Sequence, residues 1–116
     1  MPIQSSFHTD VSAVKAEIFP LLGLADSIPG VFSGEWFGSG TYLEKRSPID
    51  GTFLARIARA TSEDYQRAVA EAQRAFLTWR AIPAPQRGEV VRRLGGRLRE
   101  LKIPLARLVS LEVGKI

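Results

Sequence analysis

Side chains able to do chemistry are sparse in this chain, and their spacing builds no catalytic set. Cysteine is absent, which removes disulfides, thiolate metal sites and a cysteine nucleophile. The single histidine, His8, lies near the N-terminus. A Ser-His-Asp triad or a histidine metal site would therefore have to use a terminal residue, where chains are usually poorly ordered. The carboxylates Glu63, Asp64, Glu71, Glu89, Glu100 and Glu112 are spread along expected helices. Such positions usually face solvent, and no pair has a spacing that demands acid/base work.

Glycines and arginines are the other candidates. Gly34, Gly38 and Gly40 surround Trp36 and Phe37, but the stretch matches neither GxGxxG nor GxxxxGK[ST]. It precedes a strand pattern rather than joining strand to helix, so turns are the expected use. Gly114-Lys115 lacks the upstream glycine of a Walker sequence. Arg87, Arg92, Arg93, Arg97 and Arg99 share one helical stretch, with Lys102 and Arg107 beyond, and the pI is near 10. At 100° per residue they fall on two flanks of an apolar stripe rather than on one basic face. No nucleic-acid-reading motif accompanies them, so a solvated or salt-bridged face is the expected reading.

The elements that must position these residues are legible in outline. Val11, Val14, Ile18 and Leu22 predict a first helix over 10–24, capped by Asp10 or Thr9. Pro20 is expected to end or kink it near Phe19, and Gly23 suits its C-terminal stop. Residues 25–40 read as a loop with large apolar side chains that need something to pack on. Residues 41–47 and 52–59 read as a hairpin turning at Pro48-Ile49-Asp50-Gly51, and a hairpin needs a partner layer.

Three helices are expected after the hairpin. The first, 62–80, has Ser62 as its cap and a stripe of Tyr65, Val69, Ala72, Phe76 and Trp79. Phe76 and Trp79 are expected in the core. The second, about 85–102, has Pro85 in its first turn and a stripe of Val91, Leu94, Leu98 and Leu101. Gly95 and Gly96 weaken it by about 1 kcal/mol each and could admit another backbone. Pro104 opens the third, with Leu105, Leu108 and Val109 inward and Gly114 as C-cap.

At 116 residues with 45% hydrophobic content, the chain has the size of about one small domain. A net charge of +4 and 24% charged residues are ordinary for folded chains. No apolar run approaches a membrane span and no signal-peptide pattern opens the chain, so a cytoplasmic protein is expected.

The sequence resembles the opening of the aldehyde dehydrogenase superfamily over about residues 29–116. The resemblance rests on PGVFSGEW at 29–36, SPIDGTFLARIARAT at 47–61, SEDYQRAV at 62–69, IPAPQRGEVVRRLG at 82–95 and LVSLEVGKI at 108–116. The stretch at 82–95 and the Gly-x-x-x-Gly-x-Trp segment at 30–36 resemble the antiquitin-like branch, the α-aminoadipic semialdehyde dehydrogenases of lysine catabolism. The resemblance implies an α/β parent with a Rossmann-type nucleotide-binding domain and NAD or NADP as hydride acceptor. It implies a cysteine that attacks the aldehyde, an oxyanion site with an asparagine amide, and a glutamate that activates water.

None of those roles carries onto this chain, which has neither Cys nor Asn. No catalytic, cofactor-binding or metal-ligating residue is assigned to it, and no cofactor is expected to bind it alone. Alone, the chain is expected to be α+β: residues 1–40 as N-terminal helix and loop, residues 41–116 as hairpin and helices flanking the NAD(P)-binding domain. The expected partner is the remainder of the dehydrogenase polypeptide, in a homo-oligomer, with no nucleic acid and no membrane. Two alternatives stand beside this: a stand-alone, non-catalytic interaction chain, and a basic nucleic-acid-binding module.

Overall fold

A computed structural model describes residues 10–115. His8 and the alternative cap Thr9 lie outside the described residues. Helix α1 spans Val11–Leu22, and the Asp10 side chain caps it by accepting from the Ala13 amide at 3.1 Å. Pro20 does not end it. The proline falls in the last turn, where only one backbone hydrogen bond is forfeited. Gly23 then adopts φ +66°, and the amides of Gly23 and Leu24 donate to the carbonyls of Pro20 and Phe19. This Schellman closure satisfies the helix end without further turns.

Five strands follow: β1 (Ser27–Pro29), β2 (Val31–Phe32), β3 (Trp36–Phe37), β4 (Tyr42–Arg46) and β5 (Phe53–Ala58). The expected hairpin is β4–β5, antiparallel, with a bulge between Lys45 and Arg46. Its turn closes on Gly51 at φ +79°, whose amide donates to the Ser47 carbonyl at 2.9 Å.

The stretch read as loop is a correction. β1 pairs parallel with β5, placing Ile28 beside Ile57, so the sheet order is β1-β5-β4. β2 and β3 form a small separate hairpin. Three residues ending in proline carry no period to read, and their partner lies about thirty residues away. Pro29 is tolerated because β1 is an edge strand.

Three helices complete the chain: α2 (Ser62–Trp79), α3 (Ala84–Glu100) and α4 (Lys102–Val113). The cap of α2 is Thr61 rather than Ser62. Thr61 and Asp64 form a reciprocal capping box. The break before α4 falls at Leu101, ahead of Pro104. Proline at the third helical position costs nothing there, because first-turn amides have no helical acceptor. Gly114 caps α4 at φ +71° as expected.

The core is small and one-sided. Val11, Ile18 and Phe19 of α1 meet Leu54 and Ala55 of β5 and Leu111 of α4, with Val14, Leu24, Ile28 and Leu108 at its border. α1 and α4 are thus the layer the hairpin needs, and sheet and core join residues on both sides of residue 40. Leu111 is the deepest residue of α4, while Val109, expected inward, is exposed.

The buried Ser47 hydroxyl locks the turn to α4 by donating to the Leu111 carbonyl at 2.7 Å. By contrast α3 has no buried residue, and the only one in α2 is Asp64. The radius of gyration is 18.7 Å over extents of 69 × 36 × 20 Å. A compact chain of this length would have about 13 Å. The architecture is therefore a closed α1–sheet–α4 unit from which α2 and α3 project.

Candidate functional site

The acids do not all face solvent as expected. Glu63, Glu100 and Glu112 do, but Asp64 is buried at 9% exposure. Its Oδ2 accepts from the Ser39 amide at 2.8 Å, the Ser39 hydroxyl at 2.8 Å and the Thr61 amide at 3.0 Å. The hydrogen bonds from the Thr61 and Ser39 amides and the Ser39 hydroxyl hold its pKa below the usual carboxylate value, against a smaller opposing effect of burial. An oxygen so occupied by its own chain is a fastener, not an acid or base. It ties the segment leading into β4 to the start of α2.

The glycine cluster is filled by the chain itself. A Cβ at Gly38 would stand 2.7 Å from the Ala58 carbonyl oxygen, and one at Gly40 would stand 2.6 Å from that of Arg59. These glycines let residues 38–40 lie against the end of β5, and they leave no cradle for a phosphate. No nucleotide contact is assigned to Gly38 or Gly40, whose close approach serves packing on β5.

The arginines are mostly paired along their own helix. Glu89 accepts from Arg92 at 2.7 Å and from Arg93 at 3.0 Å, and Glu100 accepts from Arg97 at 2.8 Å. Arg107 of α4 donates to Glu17 of α1 at 2.6 Å, across the closed unit. Each of these pairs is exposed, so each adds little stability. Together they remove much of the free positive field that the composition promised.

Lys15 is a group the sequence did not single out. Its ammonium lies 5.1 Å from the Phe19 ring and 5.0 Å from the Phe53 ring, and it bonds Asp26 at 2.8 Å. It lines an open hollow of about 420 Å³. Only its place on α1, four residues before Phe19, was readable beforehand, because Phe53 and Asp26 arrive by folding. With an acid and two rings already around it, Lys15 pins α1 to β5. Among the described residues no group of three His, Cys, Asp or Glu could hold a metal ion, and no helix is long and apolar enough to cross a membrane.

The prominent surface is apolar. Tyr65, Phe76 and Leu77 of α2, with Val90, Val91, Leu94 and Leu98 of α3, stand at least half exposed. Phe76 and Trp79, expected in a core, reach none, because no layer lies opposite α2. Gly95 and Gly96 face open space: a Cβ on either would meet no atom beyond its own helix within 4 Å. The β2–β3 hairpin lies beside α2, where Phe32, Ser33 and Gly34 share a hollow with Ala68, Glu71, Ala72 and Ala75. There Arg67 pairs with Glu35 and stacks 4.2 Å from the Phe37 ring.

Comparison with known proteins bears on what such a surface serves. The family model described as "Aldehyde dehydrogenase family" matches residues 36–116. The rat protein "Alpha-aminoadipic semialdehyde dehydrogenase" is 44% identical over 95 residues, 82% of this chain and 18% of that protein. A Caenorhabditis elegans protein, "Putative aldehyde dehydrogenase family 7 member A1 homolog", is 41% identical over the same shares. An apple protein (Malus domestica), "Aldehyde dehydrogenase family 7 member A1", is 40% identical over 101 residues, 86% of this chain and 20% of that protein. The chain thus spans about one fifth of the length of these curated relatives. With 81 consecutive residues under one family model and this degree of identity, the chain belongs to the aldehyde dehydrogenase family.

Proposed function

We propose that this chain serves as scaffold in an NAD(P)-dependent aldehyde dehydrogenase that oxidises an aldehyde to a carboxylate. The observation that carries the reading is the 44% identity to the rat semialdehyde dehydrogenase through 82% of this chain. That relative's name points to a semialdehyde, as in lysine catabolism, as the substrate class. NAD or NADP would accept the hydride, at residues other than these. Lacking Cys and Asn, the chain offers no group for the thiol attack or the amide of the oxyanion site. Its residues shape and support.

In this reading the sheet unit and α2–α4 flank a Rossmann-type α/β domain, and the exposed faces of α2 and α3 pack against it. The partner is then the rest of a dehydrogenase polypeptide, in a cytoplasmic homo-oligomer. A second reading is a non-catalytic chain that associates with longer subunits. It is favoured by the α1–sheet–α4 core, which closes without help from α2 or α3.

The test captures the protein from its source cell with an antibody against residues 85–100. Aldehyde-dependent reduction of NAD⁺ and NADP⁺ is then followed with α-aminoadipic semialdehyde and with a simple aliphatic aldehyde. Turnover by the captured protein and none by the 116-residue chain is the expected result. A captured protein inert toward both aldehydes with both nucleotides would refute the reading.

A further inference from the structure

We draw no further inference here: the strongest candidate, the apolar hollow of about 130 Å³ that Phe19, Leu24, Ile28, Leu54, Ile57 and Leu108 line between the sheet and helices α1 and α4, opens to the surface, and nothing in the structure shows what covers it.

Discussion

Asp64 and Ser39, twenty-five residues apart, are joined twice at one carboxylate oxygen, through the Ser39 amide and the Ser39 hydroxyl. This contact is the joint between the closed unit and α2. Its pKa is lowered in the folded chain, so the ionised form is favoured by folding. The stability it adds is present above the unfolded value, about 4, and is lost as pH falls through the folded value. Thermal melts of the native chain should therefore drop below about pH 4. The Asp64→Asn variant should start lower at neutral pH and fall less on acidification. Equal acid sensitivity of the two proteins would remove this carboxylate from the joint.

The cap of α2 can be tested separately. Thr61→Ala removes the hydroxyl that accepts from the Asp64 amide at 3.1 Å, and should cost about 1 kcal/mol. Ser62→Ala, at the residue the sequence favoured, should cost less. Urea denaturation followed by circular dichroism distinguishes the two, and reversed ranks would place the cap at Ser62 after all.

Ser47 predicts a different loss. Without its hydroxyl the buried Leu111 carbonyl loses its donor, which costs about 1–3 kcal/mol. Ser47→Ala should accordingly lower the urea midpoint. Loss should also appear as faster amide exchange in the last turn of α4, the element the hydroxyl holds.

Core and projecting surface should respond oppositely to truncation. Leu111→Ala leaves a cavity at a site only 1% exposed and should cost about 2–5 kcal/mol. Leu21→Ala, on the exposed side of α1, should change stability by less than about 0.5 kcal/mol. Comparable losses at both positions would contradict the small, one-sided core.

What the sequence disclosed follows from what is local. Asp10, Gly23, Gly51 and Gly114 act through their nearest neighbours, and each ends or turns an element where the residue types indicate. The stripe of α2 was legible as a stripe, but its burial was not, because burial depends on a layer opposite it. β1 was illegible because its partner β5 is distant in sequence and its own length is three residues. Asp64 looked like one more first-turn acid, and only the return of Ser39 makes it a buried joint. The threonine three residues earlier was the readable sign, since Thr-x-x-Asp is a variant of the capping box. The absence of Cys and Asn was visible at once and bears most on function.

The scaffold reading is tested most directly by the intact mass of the polypeptide that carries residues 85–100 in its source cell. Scaffold service within a dehydrogenase predicts a species several times heavier than 12.8 kDa, in keeping with relatives of which this chain spans 18%. A species of 12.8 kDa with no longer polypeptide would contradict it, and function would then be sought in what the exposed stripes of α2 and α3 bind.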